Sequence, residues 1–267
     1  MKAILYTAVF CFIFFNACRQ KEDNKLRVTA VYPSSDTLSE NLLRVYIQFS
    51  QPMKTVGNLE HIKLIDTKGK EIKGAIFNNT QELWDREQKQ LTIVFDPSRV
   101  KSGLIAHSTM GRALQPGKEF SLLISDVKAI NHQKLKTPFI KTFVVTRADT
   151  LAPNIQHWDL TIPASNSKND FSIVFPEMLD FNSLKQRLII TNSKQEVIKG
   201  VVTIEKNETL WKFKPNTPWK KGHYFLFINT RLEDPSGNNL NGLFDHKIGS
   251  LKYDKEGETL HIPFVIN

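Results

Sequence analysis

The chain has 267 residues, a formal net charge of +9, 40% hydrophobic and 24% charged residues, and 12 each of Gly and Pro. Those fractions exclude collagen, a coiled coil and whole-chain disorder, and the length suffices for one or two hydrophobic cores. Both cysteines, Cys11 and Cys18, fall near the N-terminus, so the rest of the chain offers no disulfide, thiolate metal site or cysteine nucleophile.

Met1-Lys2 precedes the apolar run Ala3 to Phe15. A membrane-spanning helix needs about 20 apolar residues, so this shorter run reads as the core of a secretory signal. Phe15-Asn16-Ala17-Cys18 resembles a bacterial lipobox, which implies cleavage after Ala17 and lipid (palmitate) on Cys18. Gln20-Lys21-Glu22-Asp23 resembles the signal that, in one Gram-negative phylum, exports lipoproteins to the outer face of the outer membrane. The resemblance implies an outer-membrane, surface-exposed lipoprotein, anchored rather than spanning, with the periplasmic face as the other address. Positions 1–17 are then a signal peptide and 18–27 a lipidated tether. The excess Lys and Arg are dispersed, so a solvated surface is expected, and an anionic glycan is a better partner than nucleic acid.

The body is one unit written twice. Arg44–Met53 recurs as Asp170–Met178, Glu71–Ile76 as Val197–Val202, and Leu91–Pro97 as Thr209–Pro215, in the same order. The apolar period within each block is two, as in Val45-x-Ile47-x-Phe49 and Phe171-x-Ile173-x-Phe175, which predicts half-buried strands. In chain order the expected strands are Val28–Tyr32, Leu42–Phe49, His61–Ile65, Glu71–Phe77, Leu91–Phe95, Phe120–Ile124 and Phe139–Val145. The second half offers Ile155–Leu160, Phe171–Phe175, Leu188–Thr191, Val197–Ile204, Thr209–Phe213, Tyr224–Ile228 and Leu260–Ile266. Two such sets predict an all-β chain of two tandem immunoglobulin-like β-sandwiches. The Phe-Ser-x-Pro-Met strand end, a later Phe-x-Pro strand end and the turn Asp234-Pro235-Ser236-Gly237-Asn238-Asn239-Leu240 resemble the Ig-like domain of bacterial S-layer proteins. The first half lacks that turn and offers Ala129–Leu135 instead. The resemblance implies a structural and interaction module without catalysis.

Domain 1 is therefore expected at 28–146 and domain 2 at 154–267. The linker 147–153 is short and lacks Gly, which predicts a stiff, nearly end-to-end pair. The copies differ by two insertions. Gly103 to Phe120 spans 17 positions against 2 from Gly222 to Tyr224, giving an inserted loop at 104–117. Leu135 to Phe143 spans 8 against 24 from Leu240 to Phe264, giving another at 241–256. Loops on a rigid sandwich carry binding groups, so the candidate partner- or ligand-binding residues are Trp84, Asp85, Arg86, His107, Met110 and Arg112. An exposed Trp84 beside Asp85 and Arg86 would stack on a sugar or anchor a partner, unless it caps the core. Trp211 aligns with Ile93 and is expected in the core.

No Gly-x-Ser-x-Gly, His-Glu-x-x-His or Gly-rich phosphate loop occurs, and the seven His lack ligand spacing, so no catalytic residue, metal or cofactor is expected. An unidentified hydrolase is the minor alternative. Asp234, Asn238 and Asn239 offer calcium-type oxygens, but a plain turn accounts for them. The expected function is a non-catalytic binding, adhesion or assembly module, with membrane lipid at Cys18 and a surface protein or anionic glycan as partner. The alternative is a glycan- or small-ligand-capture protein serving uptake, with a groove lined by Trp84, Trp158 and Trp219.

Overall fold

The computed structural model describes residues 25–78, 81–246 and 258–267. Cys18, the export tetrad Gln20–Asp23 and positions 247–256 of the second insertion lie outside the described residues.

In the first half, β1 (Val28–Tyr32), β3 (Arg44–Phe49), β6 (Gln90–Val94) and β5 (Leu83–Trp84) form one sheet in that order. Its partner holds β2 (Thr37–Ser39), β8 (Phe139–Thr146), β7 (Glu119–Ile124) and β4 (Ile62–Asp66). The second half pairs β9 (Asp159–Thr161), β10 (Phe171–Val174), β13 (Leu210–Pro215) and β12 (Gly200–Glu205), with β10 and β13 central. Opposite lie β11 (Leu188–Asn192), β14 (Gly222–Asn229) and β15 (Thr259–Ile266). Four strands ordered first-second-fifth-fourth against third-sixth-seventh is the constant-type immunoglobulin arrangement. The protein is all-β and sandwich-built; its helices α1 (Pro97–Val100), α2 (Ile105–Met110) and α3 (Phe181–Gln186) are short.

Alternation sets the cores. Val45, Ile47 and Phe49 enter one hydrophobic cluster with Leu91, Ile93 and Phe95. Phe171, Ile173 and Phe175 enter a second with Trp211 and Phe213. Each such side chain contributes about 1.5–3 kcal/mol by leaving water. Trp211 is in the core as expected, but it faces Ile173 as Leu91 faces Ile47, so it takes the place of Leu91 and not of Ile93; its buried Nε1 donates to the Leu184 carbonyl at 3.1 Å.

Two expected strands are corrected. Glu71–Phe77 is reduced to isolated bridges at Ile65–Glu71 and Ile76–Phe95, because Gly74, at φ +66°, turns the chain between them. Ile155–Leu160 opens as a 3-10 turn whose first free N–H, on Gln156, is held by the Asn154 side chain; pairing begins at Asp159.

The halves are not end to end. Loops at one end of the second sandwich sit on the outer face of β1 and β3. Tyr32 stacks on Phe181 with ring centroids 3.6 Å apart. The Tyr46 hydroxyl donates to Asp180 Oδ2 at 2.7 Å, and Arg44 pairs with Glu233. Ser34 donates its N–H and hydroxyl to the Glu208 carboxylate at 2.9 and 2.7 Å. Alternation aims Tyr46 outward, yet it is only 4% exposed because the second half covers it. A short linker permits this fold-back because its carbonyls are gripped from the side, as follows.

Candidate functional site

The turn Asp234–Leu240 is the grip. Asp234 Oδ1 accepts the N–H groups of Ser236 and Asn238 at 2.7 and 3.0 Å, and its Oδ2 accepts Asn238 Nδ2 at 2.8 Å. That carboxylate serves the turn, as a plain turn reading requires. Asn238 Nδ2 also reaches the linker carbonyls of Asp149 and Leu151 at 3.5 and 3.2 Å. Leu43 N–H donates to the Pro235 carbonyl at 2.9 Å, joining the halves through backbone. Burial, then the charge of Asp149, pushes the Asp234 carboxyl up to about 8 against the pull of its three donors. Burial likewise raises Asp180 to about 6, although Ser183 N–H and the Tyr46 hydroxyl both donate to it.

The first insertion replaces a structural device. In the second half the Tyr224 hydroxyl donates to the Lys220 carbonyl at 3.0 Å, the tyrosine corner of immunoglobulin sandwiches. The first half has Phe120 there, with no hydroxyl, and Arg99 does the tying instead. Arg99, 6% exposed, donates Nε to the Gly111 carbonyl at 2.9 Å and Nη1 to the carbonyls of Lys73 and Gly74 at 3.2 and 3.1 Å. Leu114 then drops into the first core at 1% exposure, whereas Ile105 on α2 stays 83% exposed. The insertion is folded, not a free loop.

The two insertions also meet each other. Arg112 places Nη1 on Glu40 and Nη2 on Asp245, both at 2.9 Å. Asp245 also accepts the N–H and hydroxyl of Ser102 at 2.8 Å, and Phe244 packs against the first core.

The six candidate residues fall into two groups. Trp84, Asp85 and Arg86 stand at the start of β6, and His107, Met110 and Arg112 beyond its end, about 17 Å of strand apart. Half-buried Trp84 tilts against Phe49 with centroids 5.8 Å apart and donates Nε1 to Glu82. It caps the core. Asp85 accepts the N–H groups of Lys89 and Gln90, closing the β5–β6 turn, while Arg86 is exposed. His107 Nδ1 is 2.8 Å from the Arg99 carbonyl, and Met110 is exposed. Trp158 and Trp219 are buried in the second core, so no groove forms from Trp84, Trp158 and Trp219.

Of the six, Arg112 lines a cleft of about 470 Å³. Its walls are the turn Asp66-Thr67-Lys68 with Ile72 on one side and the insertion, Arg112, Ala113 and Gln115, on the other. Arg99 and Lys118-Glu119-Phe120 complete it. Ligand clefts usually fall between about 300 and 1,000 Å³. Sequence reasoning missed Arg99. Its signal was an Arg two residues past the Asp96-Pro97 strand end.

A second surface feature lies on the outer face of β11, β14 and β15. Phe225, Phe227 and His261 form a ring triangle with centroids 5.8–6.2 Å apart, beside exposed Ile189 and Val265. Among the described residues no group of three or more His, Cys, Asp or Glu is placed to hold a metal ion. Nor, among them, is any helix long and apolar enough to cross a membrane.

Fold and site define a class: an all-β protein of immunoglobulin-like sandwiches with a cleft built by an insertion. No protein-family model matches the sequence, and no curated protein matches it significantly. Among solved structures, the S-layer protein SbsC is similar at TM-score 0.35 and 9% identity, covering 100% of this chain and 44% of that one. A part of native alpha-2-macroglobulin from Escherichia coli is similar at TM-score 0.29 and 11% identity, with 91% and 72% covered. A titin Ig tandem gives 0.24 and 9%, with 86% and 90% covered. The chain spans less than half of the S-layer chain, and likenesses this remote say nothing of what it binds.

Proposed function

We propose that this protein is an outer-membrane lipoprotein, anchored through Cys18 and displayed at the cell surface by Gln20–Asp23, that acts as a non-catalytic binding module. The observation that carries the binding part is the folded insertion. Arg99, Leu114 and Arg112 hold it rigidly, and the walls it supplies open a cleft rather than a sealed surface. Binding groups on a rigid scaffold lose little entropy on capture. The anchor reading rests on the sequence around Cys18.

Cys18→Ala tests the anchor. The variant is expected to leave the membrane fraction while keeping its folded spectrum, and unchanged membrane retention would refute lipidation. Protease added to intact cells tests display. Cleavage is expected, and is lost when Lys21, Glu22 and Asp23 are replaced by Ala. Full protection of the natural protein would place it on the periplasmic face.

A further inference from the structure

The cleft of the first half carries a chemical preference in its lining. Arg99 is buried and spends Nε and Nη1 on three carbonyls, which fixes the plane of its guanidinium. Among the described residues Nη2 has no protein partner. A fixed guanidinium with a free N–H edge lining a cleft is a pre-oriented donor for an anionic oxygen. Lys68 and Lys118 stand exposed at the mouth, Lys118 donating to Gln115 Oε1. Arg112 adds little free charge, because Glu40 and Asp245 neutralise it.

The remaining lining argues against a bare multivalent anion. Asp66 and Glu119 share the cleft, and a phosphate would meet both carboxylates. A ligand with one carboxylate and several hydroxyls suits the mixture. Its carboxylate would face Arg99, and its hydroxyls would donate to Asp66 and Glu119 and bond Thr67 and Gln115. Partly exposed Ile72 and Ala113 supply apolar surface for the C–H face of a ring.

We infer that this cleft binds an acidic saccharide, a sugar chain bearing uronic-type carboxylates. The inference rests on the reading of the protein as a surface binding module and names the ligand class of its cleft.

Calorimetric titration of the mature lipidated protein in detergent tests it, with trigalacturonate, maltotriose and inorganic phosphate as probes. Trigalacturonate is expected to bind. Maltotriose, neutral and of equal length, is expected to bind at least 10-fold more weakly, and phosphate not to bind measurably. The double variant Lys68→Glu/Lys118→Glu reverses two exposed charges without touching the Arg99 ties, and should weaken trigalacturonate at least 10-fold. Equal binding of maltotriose, an unaffected double variant, or no binding of trigalacturonate would overturn the assignment. Phosphate binding as tight as trigalacturonate would overturn it in favour of a simple anion site. Failure here with Cys18-dependent surface display intact removes the ligand class alone, whereas loss of that display removes the surface reading.

Discussion

Gly237 tests whether the second half is truly seated on the first. Its φ is +83°, and a Cβ built there would lie 2.7 Å from Leu43 Cδ2, with the Phe244 ring at 3.3 Å. Ala at this position meets two separate costs. The left-handed backbone costs about 1–2 kcal/mol for a residue with a Cβ. Overpacking a buried contact adds about 1–3 kcal/mol, since Leu43 is held beneath the Asp234–Asn238 turn. Gly117→Ala is the control. It sits at φ +78°, also donates its N–H, to the Val145 carbonyl, and a methyl added there would meet nothing within 4 Å. Denaturant unfolding of both variants should show Gly237→Ala costing about 2–5 kcal/mol and Gly117→Ala about 1–2. Equal losses would show that no part of the first half presses on the turn, and the seating of the halves would be wrong.

Two further outcomes follow from the same contacts. Asp180 titrates near 6 in the fold against 3.8 for the free side chain, so between those values the native state holds more proton than the unfolded chain. Stability should therefore fall as pH rises from about 4 to 6, by at most about 3 kcal/mol. Asp180→Asn keeps a helix cap and an acceptor for Tyr46, and thermal melts across that window should lose the Asp180 part of the slope. An unchanged slope would remove Asp180 as its source. Leu114→Ala should cost about 2–5 kcal/mol, the loss of a fully buried leucine. A loss below about 0.5 kcal/mol would show the insertion to be a free loop.

Strands were legible because alternation is local: Val45, Ile47 and Phe49 declare their face within six residues, and the repeat supplied the second copy. Seating of the halves was not legible. Tyr46 and Asp180 are 134 positions apart, and nothing local marks Tyr46 as covered rather than solvated. Within the insertion, Ile105 and Leu114 are equally apolar in sequence, yet one is exposed and the other buried, because Arg99 sets which turn folds inward. Arg112 was singled out as a basic loop residue and does line the cleft. Its charge is spent on Glu40 and on Asp245, a residue of the other insertion that only the three-dimensional fold brings near. Trp84 left two readings open, a binding platform or a cap on the core, because a tryptophan beside charges looks the same in sequence whether or not its ring lies on Phe49.

Hydrogen exchange of the full-length protein with and without trigalacturonate tests most directly whether binding is made by the insertion-built cleft. Slowed exchange is expected in residues 66–72 and 112–120, with the junction between the halves and the outer face of β11, β14 and β15 unchanged. Protection centred on Phe225, Phe227 and His261, with 66–72 and 112–120 unaffected, would contradict it and move the binding surface to the second sandwich.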